Sequence, residues 1–440
     1  MQFNLDFSAV TQAAIDEQWT DIELFGEIQS RWVMTFNAKA SHSRSHVTRG
    51  LHLQGIKGGQ SFHLRLPYFS TDLVLCFLKS PQETLRLANP SDAIPSIDPQ
   101  RIQTTCAFLL ELIKTIWNEP HSPNPLALIY EEVTQDFFNW RPGSEPTSSQ
   151  DGHSRLNCRW ESRLPTETGP KSYQCFRNTT RGVLKALETG ELHRHVNNSH
   201  KIQTTWPMPQ GNLNLVFSSK AFAKLLLPIV ESLEADNLLK NQSLLCHRDI
   251  PTDWQFSVCD HSPHPGHDTE GETRSPVTLV SEGQIFQLVA HRKTAHLLGQ
   301  AQSGRARRES YQTPTKAVAY CCQISPHNTN QIPWESLSHA IWVEDLSLHA
   351  LDAKTGNVTL ALDEPYLLHR EKHGERLEKV TLSIDLFHLL SQVTSFSPHL
   401  SKHGFERDKD GLSFITELET PIALAPHIPI QGTVPSSHYW

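Results

Sequence analysis

The chain has 440 residues, 38% hydrophobic and 20% charged, and its 39 Lys and Arg against 47 Asp and Glu leave a net charge of −8. That length suits about two or three domains. The acidic balance gives no electrostatic reason to expect nucleic acid or an anionic membrane as a partner; Arg305-Ala306-Arg307-Arg308 is the one dense basic run. The longest apolar runs, Leu73 to Leu78 and Leu225 to Val230, fall far short of the ~18 residues a membrane helix needs. Residues 1–21 hold Asp6, Asp16, Glu17 and Asp21 but neither Lys nor Arg, and no apolar signal region. Eight scattered cysteines with no C-x-x-C pair read as reduced thiols, so a cytoplasmic protein is expected.

Three zones are expected: an N-terminal α/β domain over 1–95, a central helix-containing domain over 96–203, and a β-rich C-terminal domain over 204–440. The first has short β-like runs at Arg31 to Phe36 and Ser61 to Leu66, with a glycine turn at Gly58-Gly59. The second opens with a helix, because Ile102, Cys106, Leu109, Ile113 and Ile116 fall at helical spacing before Pro120. The polar stretch from Arg141 to Ser172 reads as a long surface loop.

In the third zone, Asn212 to Phe217 is strand-like, and Ser218-Ser219 can cap a helix carrying Phe222, Leu225, Leu226, Ile229 and Leu233. Pro228 lies within that helix and is expected to kink or break it. A hairpin follows over Val277 to Val289, turning at Ser281-Glu282-Gly283-Gln284. Cys321-Cys322 reads as two positions on opposite faces of a strand. A second hairpin runs from Ala340 to Leu351 and Val358 to Leu362 around Gly356, and Ile384 to Val393 looks helical. The tail from Pro421 to Pro435 holds too many prolines for a central strand. Strands without regular βαβ alternation make the fold class α+β.

Several blocks point to a family. Asp268-Thr269-Glu270-Gly271 and Thr273-Arg274 precede the first hairpin; His291-Arg292-Lys293-Thr294-Ala295, Leu298-Gly299, Ser303-Gly304 and Arg307-Arg308-Glu309-Ser310-Tyr311 follow it. Further on stand Ile341-Trp342-Val343-Glu344-Asp345-Leu346, Glu364-Pro365-Tyr366-Leu367 and Lys409-Asp410-Gly411. In this order, over about residues 210 to 433, they resemble the C-terminal core of the TldD/PmbA family of zinc-dependent peptidases and their non-catalytic partners. The resemblance implies a PmbA/TldD-like fold with a mixed α/β N-terminal region and a β-rich C-terminal domain.

Active members of that family carry His-Glu-x-x-x-His on a helix and a cysteine near the C-terminus. Two imidazoles and a thiolate hold zinc with one position open, and the glutamate takes a proton from the metal-bound water. In this sequence the corresponding positions fall on Leu226, Leu227, Glu231 and Arg407, and no His occurs from 201 to 246. Leucine offers no donor, and arginine is a permanent cation that repels a metal ion. The resemblance therefore implies a pseudo-metalloprotease: no cofactor in this chain, zinc in a TldD-type partner subunit of a homo- or heterodimer, and unfolded peptide as substrate. The alternatives are a divergent metallopeptidase with substitute ligands, and a peptide-binding scaffold unrelated to proteolysis.

The resemblance makes Arg307, Arg308, Glu309 and Tyr311 candidates for a peptide cleft, since the family's corresponding stretch lies beside one; the arginines would pair either with a peptide carboxylate or internally with Glu231 or Glu234. His261, His264 and His267 are weak metal candidates, since Pro263 and Pro265 deprive their three-residue spacing of helical meaning. Asp268, Glu270, Thr273 and Arg274 are read as serving a turn and the fold.

Overall fold

The computed structural model describes residues 5–36, 41–81, 124–161, 170–179, 181–188, 205–327, 330–369 and 372–430, with scattered positions at 104–111, 190 and 192. Among the described residues no helix is long and apolar enough to cross a membrane.

The N-terminal half is built on one antiparallel sheet. Its strands are β1 (Thr20–Phe36), β2 (Ser41–Lys57), β3 (Gln60–Leu66), β4 (Asn124–Trp140), β5 (Thr147–Glu161) and β6 (Pro170–Arg177), in the order β3-β2-β1-β4-β5-β6. β1 pairs with β4 from Leu24↔Trp140 to Phe36↔Leu128, so the boundary expected near residue 95 falls inside a single sheet. The described positions 104, 105, 107–109 and 111 of the expected helix are helical.

The expected loop over 141–172 is largely strand: β5 pairs with β4 on one side and with β6 on the other. Its composition misled because β5 buries Asp151 and Ser154 as hydrogen-bonded groups instead of apolar side chains. One face of the sheet packs Leu24, Leu51 and Phe138 against helices α1 (Phe7–Asp16) and α2 (Thr71–Lys79), and Trp32 and Tyr130 against α3 (Gly182–Glu188). The other face meets the C-terminal half through Phe25 and Phe137, which close on Tyr311.

In the C-terminal half a helix, α4 (Ser219–Ser232), lies in the core. The Ser218 hydroxyl caps it by accepting from the Ala221 N–H at 3.1 Å. α4 runs through Pro228, whose side chain is buried, and is not ended by it. The short helix α5 (Ala235–Leu239) follows. One six-stranded sheet surrounds 211–217 in the order 372–376, 365–369, 338–343, 211–217, 423–430, 395–396. The other is ordered 284–285, 277–281, 256–260, 321–326, 412–420, 401–409.

The first hairpin turns at Glu282 and Gly283, both at positive φ (50° and 69°), as a two-residue primed turn requires. The second expected hairpin is divided: 338–343 belongs to the six-stranded sheet, and only 346–351 and 357–362 pair as a hairpin. The helix expected over 384–393 runs from Leu386 to Ser391, capped by Asp385. The proline-rich tail forms a strand, Ala423–Ile430, between two others. A bulge between Ala425 and Ile428, with His427 at φ 56°, takes up Pro426, and the two-residue neighbour 395–396 reaches only Ala423 and Leu424. The last expected tail positions, 431–435, lie outside the described residues. The two halves touch backbone to side-chain position at Gly404, where a Cβ would lie 1.8 Å from the Phe176 carbonyl oxygen.

Candidate functional site

Two regions gather the residues singled out by sequence. The first is the corner between α4 and α5. Leu226 is fully buried in the core and Leu227 packs against it. Glu231 is half-exposed one turn further on, and Arg407, from strand 401–409, places Nη1 3.8 Å from its Oε1. That distance is an ion pair without a hydrogen bond. The positions matched to a histidine and to the cysteine are thus neighbours in space, filled by opposite charges.

Behind them, Glu234 is 1% exposed and is the centre of a closed network. Its carboxylate accepts from Arg407 Nη2, from Lys409 Nζ at 2.9 Å and from the Ala319 N–H at 3.1 Å. Arg407 and Lys409 alternate on one strand, so they share a face. Lys409 also lies 3.3 Å from Asp236. Asp236 in turn accepts from the Ala317 N–H at 3.0 Å and sits 3.1 Å from His291 Nε2. Burial pushes the Asp236 carboxyl up, but the His291 hydrogen bond and the Lys409 charge outweigh it and hold the group well below the usual carboxylate range. Burial opposes the charge of Arg407, and Glu234 and Glu231 more than restore it.

The donor set does not suit zinc. One matched position is aliphatic and another cationic, and the carboxylates are engaged by Arg407, Lys409 and backbone N–H groups. Glu231 and Glu234 pair with Arg407 and Lys409, and neither pairs with Arg307 or Arg308.

The three loop histidines are not brought together. His264 Nε2 lies 2.6 Å from the Asn178 carbonyl and 3.3 Å from Asp151, while the His261 and His267 backbones bond elsewhere, to Cys321 and Ser149. Among the described residues no three His, Cys, Asp or Glu side chains are grouped as metal ligands are. Asp268 serves its turn: its carboxylate accepts from the N–H groups of Glu270, Glu272 and Ala306. Burial and the neighbouring Glu23 push the Glu270 carboxyl up to about 8.

The second region is a cavity of about 130 Å³ between the N-terminal sheet and the segment 307–309. The basic run divides here. Arg305 is fully buried, bonded to Asp260 at 2.6 Å and to four backbone carbonyls, and serves the fold. Arg307 and Arg308 line the cavity together with Arg31, Glu131 and Arg155. Arg307 lies over the Tyr320 ring at 4.3 Å and donates to the Ile415 carbonyl at 2.7 Å. Arg308 lies over Phe25 at 4.8 Å, with Nη1 2.9 Å from His52 Nδ1. Burial pulls Arg308 below the usual guanidinium range despite Glu23, Glu270 and Glu27. Glu309 lies at the rim; Tyr311 is core, wedged on Phe25 and Phe137.

Sequence reasoning missed Arg31, Arg155 and His52. Their strands are far from residue 308 in sequence, and nothing local marks them. Glu27 was missed as well; it accepts from the Tyr311 N–H at 2.6 Å, and burial pushes it up to about 7.

The sequence model of the PmbA/TldA metallopeptidase C-terminal domain matches residues 210–432, half of the chain. The chain belongs to the PmbA/TldD family. Its fold is that of a TldE from Thermococcus kodakarensis, with a TM-score of 0.72 at 12% identity over 95% of this chain and 98% of that one. A putative modulator of DNA gyrase from Thermotoga maritima is similar at a TM-score of 0.70 and 12% identity, covering 96% and 98%. A putative modulator of DNA gyrase from Bacteroides thetaiotaomicron gives 0.62 at 12% identity, covering 95% and 98%. No curated protein sequence matches the chain. The PmbA/TldD fold thus extends over nearly all of the chain, beyond the half reached by sequence.

Proposed function

We propose that this PmbA/TldD-family chain is a non-catalytic subunit that pairs with a zinc-bearing relative and supplies part of the wall of a peptide-processing enclosure. One observation carries the reading. Glu231 and Arg407, which stand at two of the family's metal-ligand positions, meet each other as an ion pair, while Leu226 fills the core at a third. An ion pair neutralises the corner without leaving a vacant coordination position, and the nearby Glu234 is neutralised by Arg407 and Lys409. The charge that a metal would bring is already present as two cations. Retention of the fold around an occupied corner suits a subunit whose task is shape and binding.

The test is recovery of the tagged chain from its own cells, with metal analysis of the eluate. A relative carrying His-Glu-x-x-x-His, recovered in near-equal amount and accounting for the zinc, is the expected result. Recovery of this chain alone with about one zinc per chain would overturn the proposal and favour a divergent peptidase. Recovery of the chain alone and metal-free would overturn the partner-subunit reading in favour of a scaffold.

A further inference from the structure

We propose that the cavity walled by Arg307 and Arg308 receives the C-terminal carboxylate of a peptide, whose preceding residues lie along the open face of β1 and β2. The proposal rests on the peptide-handling reading above for the polymer, and on the following geometry for the site.

Charge comes first. Of the carboxylates lining the cavity, Glu131 is taken by both Arg31 and Arg155, and Asp151 by Arg274 and the Tyr320 hydroxyl. Glu309 stands exposed at the rim. Among the described residues, neither Arg307 nor Arg308 has a carboxylate within ion-pair distance. Arg307 donates to the Ile415 carbonyl and the Asn178 side-chain oxygen, and the Arg308 contact is the His52 ring. Each is only 6% exposed, and Arg308 Nε is buried without a partner. Glu23, Glu270 and Glu27 act on Arg308 only from beyond contact distance, as Asp151 does on Arg307, so a carboxylate arriving in the cavity can add the forked, charge-assisted pair that neither guanidinium has.

Shape selects the kind of carboxylate. Exposure falls from the mouth, where the Arg31 and Arg155 side chains are 50% and 35% exposed, to the inner wall at Arg307 and Arg308. A volume of about 130 Å³ admits a carboxylate with a small part of its chain. A recess this small, with cationic walls, suits the carboxyl end of a polymer better than a segment passing through it.

The approach is also present. Arg31 borders a second, larger hollow of about 540 Å³, shared with Val33, Thr35, His42, Arg44 and His46. Pairing sets Arg31 opposite His46, Val33 opposite Arg44 and Thr35 opposite His42, so these side chains form rows on one face. That face continues the one which Phe25 and Glu27 present to the C-terminal half, and among the described residues nothing is shown packed over it beyond the cavity.

The test uses the full chain alone, titrated with an N-acetylated, fluorescently labelled peptide bearing a free C-terminal carboxylate. The same peptide as its C-terminal amide, the amide with an internal Asp, and inorganic phosphate are titrated alongside. The expected result is binding of the free acid at least tenfold tighter than either amide. Arg308→Gln is expected to erase that difference. If Arg308→Gln fails to fold, Arg155→Gln at the mouth is expected to weaken the free acid several-fold while leaving the amide unchanged. Equal affinity for acid and amide, equal affinity for the internal-Asp amide, or binding of phosphate without binding of the peptide acid each overturns the proposal. No partner subunit enters this assay, so its failure is separate from failure to recover a zinc-bearing relative.

Discussion

The α4–α5 corner and the Arg308 cavity both bury arginine, and they treat it in opposite ways. At the corner, Arg407 meets Glu234 in a hydrogen-bonded ion pair and Glu231 by charge, and Lys409 bridges Glu234 and Asp236. In the cavity, Arg307 and Arg308 meet rings, one carbonyl, an amide and an imidazole, and no carboxylate in contact. Charge paired with contacting carboxylates holds a fold together, even though Arg407 Nε and Nη1 are left without a hydrogen-bond partner. Charge left open at the wall of a hollow is a capacity to bind. On the proposed reading, the family's chemical position is structural here and recognition belongs to the cavity wall.

The largest effect is expected at the corner. Arg407→Met leaves Glu231 without its cation and Glu234 with Lys409 alone, and should lower the unfolding free energy by about 3–5 kcal/mol. Chemical denaturation checks this, and a loss below about 1 kcal/mol would remove the contrast.

Next is the pH dependence. Burial holds His52, His153 and His403 neutral, down to about 3, 4 and 3. Unfolded histidines take up protons near 6.5, so the unfolded state binds more protons below that pH, and stability falls as pH drops towards 4. Glu27 and Glu270 act oppositely. Their folded values, about 7 and 8, lie above the unfolded value, so their contribution is complete below about 4.5 and is lost as pH rises through 7 and 8. A stability maximum between about pH 6 and 7 is expected, with a loss on the order of 2 kcal/mol by pH 8.5. Glu270→Gln should flatten the alkaline limb; an unchanged limb would show that the carboxylates at this junction are not responsible.

Of similar or smaller size is Gly50→Ala. Its Cβ would lie 2.3 Å from the Tyr311 ring, wedging the sheet from segment 305–313 at a cost of about 1–3 kcal/mol, read as a lower melting temperature. Smallest is Arg308→Met. With no ion pair in contact to break, it should change stability by less than about 1 kcal/mol, or raise it. A loss matching that of Arg407→Met would mean that the two regions bury charge alike.

The C-terminal half was the more legible in sequence. Ser218 and the apolar positions of α4 identify a capped core helix, and Glu282-Gly283 supplies the turn its hairpin needs. The matched positions Glu231 and Arg407, 176 apart in sequence by subtraction of their numbers, are neighbours in space, so the register taken from the resemblance places them together. The N-terminal sheet was legible only in pieces. β5 satisfies its buried polar groups with partners from other segments of the chain, such as the Thr179 carbonyl for Ser154 and the Tyr320 hydroxyl for Asp151, and no local pattern carries that information. Pro228 and Pro426 were read by their local rules, and tertiary context overrode both: a packed core holds α4 through one, and a bulge absorbs the other. Arg307, Arg308 and Glu309 were found as a run, but their cavity is completed by Arg31 and Arg155, which only pairing of β1, β4 and β5 brings there.

The most direct measurement is the zinc content of the purified chain after equilibration with zinc and dialysis. The account predicts background metal, unchanged by Glu231→Gln. About one zinc per chain, retained through dialysis and lost on Glu231→Gln, would contradict it.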